Sequence, residues 1–278
     1  MGKLILVATP IGNLGDISPR AAEALQEADL IAAEDTRHSG SLLKHLGIKK
    51  PLTSYYKHNE KAKEEGLLAA LSEGKTLALI SDAGTPVISD PGFAIAAAAI
   101  EAGFKVDAIP GPCALIQALV LSGLPADKFA FEGFLPRNKE GLNYLKSIAQ
   151  EERTLIFYEA PHRLRQSLNY LQEAFGENRK AAVCRELTKK FQEVNRGSLS
   201  ELNLLWQERE PQGEYVLVVE GAKANKGAQT YTEEFLTAEL ARLLAGGMKH
   251  KAAAKELGLR YGLPVSKLYE LGLKLKKS

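Results

Sequence analysis

Short apolar runs alternate with helical stretches through residue 122, which restricts the chain to βαβ units around a largely parallel sheet. Lys3–Val7, Leu30–Ala33, Thr76–Ile80 and Lys105–Ile109 read as buried strands. Residues 19–27, 39–46, 61–72, 93–102 and 114–121 read as helices. Ser18 is placed as an N-cap, Pro19 at the first helical position, and Gly103 as a C-terminal stop. Gly123-Leu-Pro-Ala-Asp127 breaks this rhythm. Beyond it, strands at 128–133, 154–158, 181–185, 191–197 and 214–220 combine with helices at 143–149, 163–174 and 198–208. A polar stretch at 223–230 then leads to helices at 232–244, at 249–261 and from Val265. The expected organisation is an α/β fold of two α/β domains, 1–122 and 123–222, followed by a small helical domain, 231–278.

Three strands end in loops built from proline, glycine and small hydroxyls. These are Val7-Ala-Thr-Pro-Ile-Gly-Asn13, Ser81-Asp-Ala-Gly-Thr-Pro-Val-Ile-Ser-Asp-Pro-Gly92 and Ile109-Pro-Gly-Pro-Cys-Ala114. Open α/β sheets bind ligands at the carboxyl ends of their strands. Glycine there lets the backbone approach a ligand, and proline fixes the loop in advance. One such loop can be a simple turn; three in one domain read as a preformed pocket. Gly12 and Gly15 have the wrong spacing for a dinucleotide fingerprint, and no G-x-x-x-x-G-K-[ST] motif is present. Carbonyls, hydroxyls and proline rings suit a ligand with little net negative charge, such as a nucleoside bearing a sulfonium or amino-acid tail.

Polar residues gather at other strand ends. Glu34-Asp-Thr-Arg37, Glu159-Ala-Pro-His-Arg163 and Arg185-Glu-Leu-Thr-Lys189 each offer a carboxylate beside a cation. Such pairs can deprotonate a hydroxyl or hold phosphate. They can equally be surface ion pairs at helix N-termini. Asp35 is the first candidate base, with Arg37 orienting it or gripping phosphate, and Glu159 and Lys189 follow. His162 reads as a local cap, and Cys113 as a small pocket residue rather than a nucleophile.

Composition excludes several classes. No apolar run reaches the roughly 18 residues a membrane helix needs. Cys113 and Cys184 are isolated and the five histidines lack ligand spacing, so a reduced, cytoplasmic protein without a metal is expected. Residues 246–278 hold eight Lys or Arg against Glu256 and Glu270, a net +6, which leaves −4 on the rest. This asymmetry points either to a polyanion partner or to a solvated helical face.

The motifs then carry a resemblance. Thr9-Pro-Ile-Gly-Asn-Leu-Gly-Asp16, Ala33-Glu-Asp-Thr-Arg37, Ser81-Asp-Ala-Gly-Thr-Pro86 with Ser89-Asp-Pro-Gly92, and Pro110-Gly-Pro-Cys-Ala114 come first. Glu132-Gly-Phe-Leu-Pro136, Leu155-Ile-Phe-Tyr-Glu159 and Arg185-Glu-Leu-Thr-Lys189 follow. In this order they resemble the ribosomal RNA small-subunit methyltransferase I family, whose fold is similar to that of the tetrapyrrole methylases (class III methyltransferases). The resemblance implies an S-adenosyl-L-methionine-dependent enzyme that methylates the ribose 2′-hydroxyl of a cytidine in the decoding region of small-subunit (16S) rRNA. It also implies a homodimer with no membrane association, and a cofactor site between two α/β domains. Carried onto this sequence, that site would use Pro10, Asp82, Gly84, Thr85, Pro86, Val87, Ile88, Cys113 and Ala114 from the first domain. Phe157, Tyr158 and Leu187 would close it from the second. Gly84-Thr-Pro86 departs from the Gly-Asp-Pro of tetrapyrrole methylases, which argues against a porphyrinoid substrate. The rival readings are a tetrapyrrole-type C-methyltransferase and a nucleoside-sensing, nucleic-acid-binding regulator with a helix-turn-helix at 249–271.

Overall fold

The computed structural model describes residues 2–56, 59–223, 231–261, 263 and 265–275. Most of the expected polar stretch at 223–230 lies outside them, as do His58, Gly262, Pro264, Lys276, Lys277 and the side chain of Lys274. The chain separates into two compact units, Met1–Ala222 and Lys223–Ser278.

The first unit opens with β1 (Lys3–Val7), α1 (Pro19–Glu27), β2 (Leu30–Ala33), α2 (Thr36–His45) and β3 (Leu52–Ser54). It continues with α3 (Glu60–Ser72), β4 (Thr76–Ile80), α4 (Phe93–Glu101), β5 (Lys105–Ile109) and α5 (Ala114–Ser122). The strands form one sheet, ordered β3-β2-β4-β1-β5, with every pairing parallel. Alternate residues feed two apolar layers, as the twofold period of a strand requires. Ile5, Val7, Ile31, Ala33, Ala78 and Ile80 pack with α1 on one face. Leu4, Ala32, Leu77 and Leu79 pack with α3 and α4 on the other. Helix α2 starts at Thr36 rather than residue 39, because the Asp35 carboxylate accepts the Arg37 backbone N–H at 2.8 Å and caps it.

The second sheet is built from β6 (Phe129–Phe134), β7 (Thr154–Glu159), β8 (Lys180–Arg185), β9 (Glu193–Ser198) and β10 (Tyr215–Val219). Among these strands lie α6 (Asn138–Ser147), α7 (Leu164–Phe175) and α8 (Leu199–Gln207). The order is β6-β7-β10-β8-β9, parallel only between β6 and β7. Helices α6 to α8 cover one face around Trp206, with Leu155, Phe157, Val183, Leu217 and Val219 pointing into that layer. The other face is covered by α5, whose Leu115, Ala118 and Leu119 pack on Ile156, Ala182, Cys184, Val216 and Val218. Helix α5 thus follows the first sheet in sequence and seals the second.

The second unit holds α9 (Glu233–Ala245), α10 (His250–Tyr261) and α11 (Val265–Leu275). Leu236 and Leu240 of α9 meet Ala253, Ala254 and Leu257 of α10 and Leu268 and Leu271 of α11 in a small core of their own. Gly258 permits the close return of the chain, since a Cβ there would lie 2.9 Å from Val265 Cγ2. Among the described residues no helix is long and apolar enough to cross a membrane.

Candidate active site

The three proline and glycine loops are tied to one another by their own hydrogen bonds. The Thr9 N–H donates to the Gly84 carbonyl at 2.8 Å, and the Gly84 N–H donates back to the Thr9 carbonyl at 3.1 Å. Thr9 Oγ1 donates to the Ser81 carbonyl at 3.2 Å, and Thr85 Oγ1 to the Pro112 carbonyl at 3.1 Å. Gly84 is required where the loops cross: its φ is +85°, and a Cβ would stand 3.2 Å from Ile11 Cγ2.

A pocket of about 350 Å³ opens within this unit beside the N-terminus of α5. Of the residues expected from the sequence, Gly84, Thr85, Ile88, Cys113, Ala114, Tyr158, Glu159 and Leu187 line it. Pro10, Asp82, Pro86 and Val87 stand beside lining residues without forming the wall. Phe157 is a correction. It alternates with Tyr158 along β7, so it points into the layer beneath α7 while Tyr158 faces the pocket. The sequence reading missed Ile11, Asp90, Phe134 and residues 213–216. Asp90 and Phe134 lie inside motifs already singled out, whereas 213–216 reach the wall only because β10 inserts between β7 and β8.

Strained backbone brackets the wall on both sides. Val87 and Ser89 flank Ile88 with φ of 78° and 65°, and Glu186 and Thr188 flank Leu187 with φ of 50° and 65°. Left-handed backbone at a β-branched residue costs of order 1–3 kcal/mol and persists only where the surroundings impose it. The two apolar side chains are therefore presented by loops held in one shape. Tyr158 completes the wall, with its hydroxyl oxygen accepting the Leu115 N–H at 3.3 Å and its ring edge-on to Phe131 and Phe134.

The polar clusters sit around this pocket in different states. Asp35 pairs with the exposed Arg37 at 3.0 Å, and the Arg37 side chain holds its carboxyl down to about 2. The Asp35 N–H donates to Asp82 Oδ1 at 2.9 Å, which joins this strand end to the second loop. Glu159 is buried, accepts from the Ser167 hydroxyl and from the Ala160 N–H at 2.8 Å, and lies 3.5 Å from Arg163. Lys189 bonds Glu214 at 2.8 Å and Glu186 at 2.9 Å; burial alone would lower its pKa, but these carboxylates raise it. Its stem crosses Gly12, where a Cβ would lie 2.4 Å from Lys189 Cγ. Asp90 is pushed up by burial and by the charge of Asp82, against the Ser81 hydroxyl beside it. Glu34 is pushed up by burial and by Asp90 and Asp82. His162 lies in a single 3₁₀ turn, Pro161–Arg163, at the head of α7. Among the described residues no group of three or more His, Cys, Asp or Glu side chains is arranged to hold a metal.

Residues 3–203 match the model of the Tetrapyrrole (Corrin/Porphyrin) Methylases. A ribosomal RNA small subunit methyltransferase I from Synechocystis is 50% identical over 277 residues, covering 99% of both chains. One of the same name from Thermotoga maritima is 47% identical over 221 residues, 80% of this chain and 99% of that one. A chain about as long as the α/β unit therefore bears that name by itself. The solved structure of a diphthine synthase, 16% identical, superposes with a TM-score of 0.62 over 80% of this chain and 90% of that one, which shows a shared fold. Near-complete coverage at half identity, on the fold of the tetrapyrrole methylases, makes this chain a member of the ribosomal RNA small subunit methyltransferase I family.

Proposed function

We propose that the chain transfers the methyl group of S-adenosylmethionine to the ribose 2′-hydroxyl of a cytidine in the decoding region of 16S rRNA, as a cytoplasmic homodimer. The charge of the pocket wall carries the cofactor reading. Asp90, Glu159 and Glu214 line it, and among the described residues no Lys, Arg or His does. Glu159 and Glu214 are paired with Arg163 and Lys189, and a mostly apolar wall that keeps the further charge of Asp90 favours a ligand of net positive charge and opposes a polyphosphate. S-adenosylmethionine is such a ligand, with a sulfonium and an ammonium against one carboxylate. When bound, it supplies an electrophilic methyl group. The residues of this chain hold the reactants: the bonded loops fix one wall, Tyr158 and Leu187 fix the other, and orientation at attack distance lowers the barrier. The homodimer reading is supported by apolar side chains left outside the two cores, with Phe93 on α4 72% exposed and Val120 on α5 71% exposed. Incubating small ribosomal subunits with cofactor labelled in its methyl group, then mapping the label, tests the reaction; label absent from a ribose oxygen rejects it.

Asp35 and Arg37 are assigned to RNA contact rather than proton removal. A carboxyl held at about 2 is a weak base, and it already caps α2. Asp35→Asn, which keeps a capping side chain, is expected to leave kcat within about threefold. Arg37→Ala is expected to weaken RNA binding and to reduce the salt slope by about 1. A hundredfold loss of kcat in Asp35→Asn would restore Asp35 as the base. Glu159 and Lys189 are positioning residues, since their charges are committed to Arg163 and to Glu186 and Glu214.

The helical unit is assigned to phosphate contact. Arg260 is bound by Glu239 and Glu256, so it adds little to the field. Lys249, Lys251, Lys255 and Lys267 are exposed and outside those pairs. Contacts of this kind release counterions and weaken as salt rises. A chain ending at Ala222 is expected to keep cofactor affinity while binding RNA more weakly and with a flatter salt dependence. Filter binding across a salt series decides this, and equal slopes for both chains remove the unit from RNA recognition.

A further inference from the structure

We propose that Asp90 accepts the proton of the acceptor hydroxyl, which makes it a catalytic residue of the pocket. The inference rests on the methyltransferase reading above. Among the described residues three carboxylates line the pocket, and two are committed. Glu159 is bound by Ser167, the Ala160 N–H and Arg163, and Glu214 by Lys189. Among the described residues Asp90 has no such cation; the groups acting on it are the Ser81 hydroxyl and the like charge of Asp82. The Ser81 hydroxyl hydrogen-bonds Asp90, which opposes but does not cancel the rise in its pKa, and also lies 3.4 Å from the Ala83 and Gly84 carbonyls.

The backbone holds this carboxylate in place. Asp90 follows Ser89, whose φ is 65°, and precedes Pro91 and Gly92. The Gly92 N–H donates to Glu60 Oε1 at 3.0 Å, and a Cβ on Gly92 would lie 2.6 Å from Leu79 Cδ2. The loop therefore cannot retreat into the first sheet, and the acid is kept at the wall. Its surroundings among the described residues, Asp82 beside it, Glu34 from the end of β2, and Tyr158 from β7, bring negative charge or low polarity and no cation. These conditions raise proton affinity toward working pH, as a general base requires.

In the step, the hydroxyl oxygen forms a bond to the methyl carbon. The carbon–sulfur bond breaks with its electron pair left on sulfur. The hydroxyl proton passes to an Asp90 oxygen and then to solvent, so charge and atoms balance.

Asp90→Asn tests this with little change in shape. Single-turnover methyl transfer is expected to fall at least hundredfold, within the range for losing a general base. RNA affinity by filter binding is expected to stay within threefold, and the loss of cofactor affinity by calorimetry, as one wall charge is removed, is expected to be at least tenfold smaller than the loss of rate. The wild-type rate should rise with pH through one ionisation that Asp90→Asn lacks and Asp90→Glu restores. Carbon-13 resonances of the cofactor-free protein provide a readout independent of turnover and of the variant's folding: the Asp90 carboxyl should titrate above the ordinary aspartate value. An Asp90→Asn rate near wild type, a cofactor affinity reduced in step with the rate, or an Asp90 titration at or below the ordinary value each overturns the proposal. Wild-type protein that transfers no methyl group to RNA would instead reject the underlying reading.

Discussion

Replacing Ala114 by leucine is expected to weaken S-adenosylmethionine binding more than tenfold, about 1.4 kcal/mol or more, while the protein stays folded. Ala114 is the first residue of α5 and lies on the pocket wall. Three further carbons at that point have nowhere to go except the pocket, because its surroundings cannot yield. The Thr85 bond to Pro112 fixes the loop just before it, and the Leu115 N–H bond to Tyr158 fixes the turn just after it. Leucine costs little as a helix former, so stability is a clean control. Calorimetric titration measures the effect, and an unchanged dissociation constant would move the cofactor out of this pocket.

The largest loss of stability is expected from Phe157→Ala. Its ring is fully buried among Leu164, Leu168, Leu171 and Leu217 beneath α7. Removing such a ring leaves a cavity and costs about 3–5 kcal/mol. Against a total of roughly 5–15 kcal/mol for a folded domain, the thermal midpoint should fall by about 10 °C or more. Cofactor affinity at a temperature where the variant is folded should change far less. Denaturation by urea gives the stability and calorimetry the affinity. A variant of normal stability and poor affinity would return Phe157 to the pocket.

Phe157 also shows where the sequence stopped being legible. The run Thr154-Leu-Ile-Phe-Tyr158 announces a buried strand, yet both of its faces are apolar, so nothing in it says which alternate residue meets a ligand. The three loops were readable because proline and glycine mark strand ends by backbone chemistry alone. Strand β3 was not: Leu52-Thr-Ser54 is too short to show a period, and it is recognisable only by its pairing with β2. The states of Glu159 and Lys189 depended on Ser167 and Glu214, partners 8 and 25 positions away, which no local pattern reveals. Asp90 was in plain view within Ser89-Asp-Pro-Gly92, but the absence of a cation beside it among the described residues is a property of the folded neighbourhood.

The order of strands in the second sheet has a bearing on synthesis. β10 is the last strand made and the central one, lying between β7 and β8. Until residue 219 has left the ribosome, β7 and β8 each face a gap with unpaired backbone edges. Such edges are templates for pairing with other chains. β10 and the residues just before it also bring 213–216 to the pocket, so the wall closes only when the same strand heals the sheet. A nascent or prematurely ended α/β unit would thus be both inactive and prone to aggregate. One strand sets the moment at which this protein becomes safe and functional together.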